Sequence, residues 1–174
     1  MAVAQSAVQR RQAKACTIEA LQNQAVVIDG FNLLILLEGA LSGAYLFKGM
    51  DGVYRDIAGV HGSYKRVQKT EAAIDLMGTA LAKFGVSKVH CFLDKPVSNS
   101  GRLKVRLLEK AAVMGYDWSV ELVFNPDKAV AEHGAIAISG DGWVIDHSDS
   151  WFNLVAILLE NRLIQPFPPI ITAF

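Results

Sequence analysis

The sequence predicts an α/β protein whose mainly parallel sheet is covered on both faces by helices, and three observations carry that prediction. Short strand-like runs recur along the chain: "AVVID" at 25–29, "KVHCFLD" at 88–94, "SVELVF" at 119–124 and "AIAIS" at 135–139. Segments with apolar residues at three- and four-residue steps separate them. At 174 residues, 52% hydrophobic and 20% charged, the chain is long enough for one well-buried core, and it carries no internal repeat or low-complexity linker.

Taken in order, residues 1–23 read as a polar N-terminal arm or helix. A domain over 24–162 follows, and 163–174 form an apolar, proline-rich tail. The first strand is 25–29 and a helix covers about 32–43. The apolar segment Phe31 to Phe47 is interrupted by Glu38 and by glycine and serine, and it is short for a bilayer span, so it reads as a buried helix with no role in a membrane. Glycine-rich sequence comes next, with hairpin turn signals at Lys48-Gly49 and Asp51-Gly52. Val67, Ile74, Met77, Leu81 and Phe84 mark an amphipathic helix from about 64 to 84, ended by Gly85.

The strand at 88–94 leads to a polar loop, Ser98 to Gly101, that offers helix caps. Leu103, Leu107, Ala111 and Met114 mark the next helix, closed by Gly115. After the strand at 119–124 come a short helix at 127–133, a strand at 135–139, a fifth strand at "WVID" (143–146) and a last helix from about 150 to 161. The tail "QPFPPIITAF" is expected to pack on the body or on a partner, and a homo-oligomer formed through it is one expectation.

Seventeen basic residues balance seventeen acidic ones, which removes any whole-molecule argument for a polyanionic partner and leaves only local basic patches. Cys16 and Cys91 match no ligand spacing and read as reduced thiols of a cytoplasmic protein. The N-terminus has no apolar run of the secretory kind.

Asp29 and Asp94 end strands, and Asp127 and Asp141 follow strands by short turns. In a parallel sheet all strand C-termini share one edge, so these four acids are expected to converge there. Converging carboxylates oppose one another's ionisation, and a divalent cation offsets that. An all-oxygen donor set suits Mg2+ or Mn2+. Such a site suits phosphodiester hydrolysis, often with two ions about 4 Å apart.

Each acid also has a structural reading. Asp127 before "KAVAE" is a plausible N-cap, and "SGDGW" around Asp141 reads equally as a hairpin turn. Asp146 and Asp149 read as the end of a strand and the cap of the last helix. Glu38, set among leucines, either reaches the acidic edge or finds a hydrogen-bond donor. Glu71 and Asp75 lie one turn apart on a solvated face, from which Glu71 is the nearer to turning inward.

"VVIDGFNLL", "CFLD", "NPDKAVAE" and "AISGDGWVID" together resemble the PIN and NYN superfamily of metal-dependent ribonucleases. "RDIAGVHGSYKRVQKTEAAI" and "LDKPVSNSG" are similar to an uncharacterised PIN-like family of archaea and bacteria, a domain of unknown function. The resemblance covers about residues 24–160. It implies a three-layer α/β/α fold and a Mg2+- or Mn2+-dependent endoribonuclease acting on RNA. In that reading Asp29, Asp94 and Asp141 bind metal, with Glu38 or Glu71 as a further ligand. Asp127 completes the catalytic acids, and Asn32 orients a ligand.

Two basic groups are candidates for RNA phosphates: Lys65 and Arg66 beside Tyr64, and Arg102 and Arg106 with Ser98 and Ser100 just ahead of them. His61 is a candidate for placing a phosphate. An ordinary solvated helix face is the competing reading of both groups. The alternative to an enzyme is a catalytically silent PIN-like RNA-binding or assembly scaffold. Phosphoacceptor receiver and haloacid-dehalogenase readings are disfavoured, because Gly30 and Phe31 follow Asp29 where those chemistries need a second acid.

Overall fold

The computed structural model describes residues 2–56 and 69–172, with side chains from Gln5 onward. The described elements run α1 (Ala2–Lys14), a 3-10 turn (Glu19–Leu21), β1 (Ala25–Asp29), α2 (Gly30–Leu41), β2 (Leu46–Lys48), β3 (Tyr54–Asp56) and α3 (Thr70–Lys83). There follow β4 (Lys88–Asp94), α4 (Ser100–Met114), β5 (Trp118–Val123), α5 (Pro126–Glu132), β6 (Ile136–Ile138), α6 (Gly142–His147), α7 (Leu154–Glu160) and β7 (Ile170–Thr172).

Four strands form an all-parallel sheet in the order β5-β4-β1-β6. Helices on both faces make it a three-layer α/β/α fold, as the sequence predicts. Val26, Val27 and Ile28 of the central β1 are all fully buried, which is why that run is apolar without alternation. On one face Val26, Ile28, Val89, Cys91, Leu93 and Ile138 pack with α2, α3, α4 and α7. On the other, Val27 and Ala137 pack with Val130 of α5, Val144 and Ile145 of α6, and Trp151.

The strand order has a functional consequence. The chain steps outward from β1 to β4 to β5, then returns across the sheet to place β6 on the other side of β1. Crossovers therefore leave β1 and β6 in opposite directions. The crevice outside their C-terminal ends is the place where open α/β sheets bind ligands.

A second, three-stranded sheet, β3-β2-β7, lies outside the main one. The turn signals at Lys48-Gly49 and Asp51-Gly52 do join an antiparallel hairpin, β2 to β3. The apolar tail packs on the body, where β7 pairs in parallel with β2.

Several boundaries differ from expectation, and the expected start of the amphipathic helix near 64, with Val67, lies outside the described residues, which resume at Lys69 just ahead of α3. "WVID" is the body of helix α6 and not a fifth strand, because the Asp141 carboxylate accepts from the Val144 amide and caps a helix there. The "SGDGW" hairpin is thereby excluded as well. The helix after β1 starts at Gly30 with no intervening turn. The last helix starts at Leu154, capped by Asn153 and not by Asp149, because Trp151 and Phe152 are extended and buried as core residues.

The N-terminal helix is bound to the body by specific contacts. Lys14 Nζ donates to the carbonyls of Ile145, Asp146 and Ser148, closing the C-terminal end of α6. Arg11 holds Asp146 through two bonds of 2.7 and 2.8 Å and reaches the buried Asp51 at 2.7 Å. Among the described residues no helix is long and apolar enough to cross a membrane.

Candidate functional site

Asp29 is the last residue of β1 and is only 4% exposed. The backbone turns directly into α2, so Asn32 comes round one turn later and its Nδ2 donates to Asp29 Oδ2. Gly30 fits this junction by size. A Cβ there would lie 2.5 Å from Leu93 Cδ2 and 2.6 Å from Cys91 Sγ, so any side chain would force those two to shift where α2 starts against β4.

Asp127 approaches Asp29 from the opposite face of the sheet. It lies in the first turn of α5, where Pro126 occupies the first helical position and Asn125, not Asp127, caps the helix by accepting from the Lys128 amide. Freed from capping, the Asp127 carboxylate lies close to that of Asp29. Burial first, and then the charge of Asp127, push the Asp29 carboxyl up to about 7, against the opposing effect of Asn32. Asp127 is itself raised, by burial and then by the charges of Asp141 and Asp94. The four predicted acids thus interact electrostatically at one sheet edge.

Asp94 ends β4, two residues beyond the position level with Asp29. Its Oδ1 is buried and has no hydrogen-bond partner, the sole such side-chain atom among the described residues. Asp141 follows β6. Its Oδ1 accepts from Val144 and its amide donates to Ser139 Oγ, which fixes the turn at the other side of β1. A cleft of about 220 Å³ opens there, lined by Asn32, Ser139, Gly140, Asp141, Tyr54 and Asn153 among others.

The donor set fits a hard divalent cation: carboxylate oxygens, one of them buried and orphaned, at an edge where burial and mutual repulsion work against ionisation. The spacing limits how it would be held. Among the described residues no three His, Cys, Asp or Glu side chains stand close enough to share one ion. Asp29 and Asp127 lie beside each other, and two protein carboxylates are a number that suits a cation that retains several waters.

Glu38 and Glu71 lie elsewhere. Glu38, 5% exposed, accepts from Thr70 Oγ1 at 2.7 Å, so it finds a donor and does not join the acidic pair. It lines a second cleft of about 120 Å³ with Thr70, Ser98, Arg102 and Arg106. Glu71 is exposed and paired with Arg106 at 2.7 Å. Arg102 is exposed, whereas Ser100 is buried and donates to the Lys95 carbonyl, holding its own loop. His61, Lys65 and Arg66 lie outside the described residues.

Three features had no sequence signal. The Arg11–Asp51–Arg55 cluster supports the Asp141–Gly142 turn, since a Cβ on Gly142 would meet Arg11 Nη2 at 2.8 Å. Arg11 lies 40 residues from Asp51, beyond any periodicity. The His90 and His133 rings lie against each other at 4.3 Å between centroids, tilted by 45°, bringing the end of α5 against β4. Phe124, 75% exposed, lies beneath the Lys95 ammonium.

The fold and edge define an α/β protein with a cluster of acids at the C-terminal edge of its parallel sheet. Within that class the chain belongs to the family described as Domain of unknown function (DUF5616), whose model matches residues 18–157. It is similar to Uncharacterized protein MJ0935 of Methanocaldococcus jannaschii, 31% identical over 139 residues. The match covers 80% of this chain and 65% of that protein, so the chain spans just under two thirds of its relative's length. No solved structure matches.

Proposed function

We propose that the protein is a Mg2+- or Mn2+-dependent endoribonuclease related to the PIN and NYN ribonucleases, acting in the cytoplasm. The observation that carries this reading is the contact between Asp29 and Asp127 at the sheet edge, with the orphaned Asp94 Oδ1 and the turn-bound Asp141 beside them. A bound cation would supply the positive charge that activates water and stabilises the leaving oxygen in phosphodiester hydrolysis.

The chain's own residues prepare that chemistry. Asn32 holds Asp29 Oδ2 and so fixes the carboxylate at the strand end beside Asp127. Asp141 commits one oxygen to the α6 cap and keeps the second for a ligand. Burial of Asp29 keeps competing water away from the pair. A single-stranded RNA incubated with Mn2+ is expected to be cut by the wild type and left intact by Asp29→Asn. Cleavage that persists unchanged in that variant excludes this edge as the site.

A second reading, a silent PIN-like scaffold that binds RNA or a second copy of the chain, is favoured by two observations. No three described acids share one ion's reach, and Leu163, Phe167 and Ile171 of the C-terminal segment are each more than two-fifths exposed. It predicts RNA binding without cleavage and an oligomer that truncation at Gln165 disrupts.

A further inference from the structure

We propose that Phe124 and Lys95 form a stacking platform for an unpaired base of the RNA strand that enters the acidic edge. The inference rests on the ribonuclease reading above and adds what the substrate must present: a single strand with a base free to leave its neighbours.

Phe124 lies in the loop between β5 and α5 and is 75% exposed, the second most exposed large apolar side chain among the described residues. The loop that carries it is held on all sides. The Lys95 amide donates to the Val123 carbonyl at 2.8 Å, Asn125 caps α5, and Pro126 is buried at the first helical position. An exposed ring on a fixed backbone keeps its face available without ordering a flexible loop. The Lys95 ammonium stands 5.1 Å from the ring centroid.

Position gives this pair its role. Lys95 directly follows Asp94, and Phe124 precedes Asp127 by three residues, at most roughly 10 Å of extended chain. The two loops that deliver two of the four acids therefore also deliver an aromatic face and a cation. An edge of carboxylates alone repels a phosphate backbone, and an adjacent ammonium offsets that repulsion where the strand arrives. Stacking uses the face of a base and not its edge, so the platform favours single strands over duplexes and shows little base preference.

The test is fluorescence anisotropy with a labelled single-stranded oligoribonucleotide, with Ca2+ replacing Mn2+, alongside Mn2+-dependent cleavage of the same strand. Phe124→Ala is expected to weaken binding about tenfold, and Phe124→Trp to retain it. Lys95→Gln is expected to flatten the salt dependence, by about 0.7 in the logarithmic slope. Phe124 is exposed, so its variants keep the wild-type melting temperature. If the wild type binds and cuts the strand and Phe124→Ala does so equally well, the platform is refuted and the nuclease reading stands. If the wild type neither binds nor cuts, both are refuted. If Phe124→Ala weakens a blunt duplex as much as the single strand, stacking is refuted.

Discussion

The Asp29 carboxyl lies beside the Asp127 carboxyl at the C-terminal end of β1, and burial together with the Asp127 charge pushes it up to about 7. Asp29 is the more buried of the two, which favours its protonated form. A cation entering the edge favours the ionised form and so competes with protonation of Asp29. This relationship links stability, pH and ligand binding at one place.

Without divalent cations, stability is expected to fall as pH rises. The unfolded chain loses the Asp29 proton near pH 4 and the folded chain near pH 7, so between these values the native state binds more protons. The loss is at most about 4 kcal/mol across that window. Asp29→Asn removes it, and at pH 8 in EDTA the variant is expected to melt several degrees above the wild type. Thermal melts across pH check this. Parallel pH profiles for the two proteins would contradict it.

Gly30→Ala is expected to cost about 1–3 kcal/mol, because its methyl group collides with Cys91 and Leu93 in a filled core. Adding Cys91→Ala opens space on one side and should recover part of the loss. Urea unfolding of the two single variants and the double variant measures the coupling.

The element pattern from β1 to α5 was legible because each part obeys a local rule. Continuous β-branched runs mark strands buried on both faces, Leu103, Leu107 and Ala111 mark the buried stripe of α4, and Gly115 ends that helix in a left-handed conformation. "WVID" was misread because two adjacent buried residues, Val144 and Ile145, fit a strand as well as a short helix. The tertiary contacts of Arg11 and the cap from Asp141 decide between them. The four acids were legible from strand ends, whereas Glu38 was not, since its donor Thr70 lies 32 residues away.

Arg11→Ala is expected to destabilise the protein by roughly 2–5 kcal/mol, since it leaves the buried Asp51 with Arg55 as its remaining cation and Asp146 without its bidentate partner. Asp51→Asn in the same chain should lessen that loss. Chemical denaturation of the double-mutant cycle gives the comparison, and strict additivity would show that Arg11 and Asp51 are not coupled.

Thr70→Val leaves the buried Glu38 carboxylate without its hydroxyl donor and is expected to cost about 1–3 kcal/mol. Glu38→Gln, by contrast, should leave Mn2+ binding at the edge unchanged, because Glu38 faces Thr70 and the second cleft. Loss of Mn2+ binding in Glu38→Gln would return this residue to the metal site.

Titration calorimetry of Mn2+ into the wild type and Asp29→Asn at pH 7 tests the central claim most directly. Saturable binding with proton release in the wild type, absent from Asp29→Asn, is the result expected of a metal-binding acidic edge. No saturable binding, or binding of equal affinity in both proteins, would contradict it.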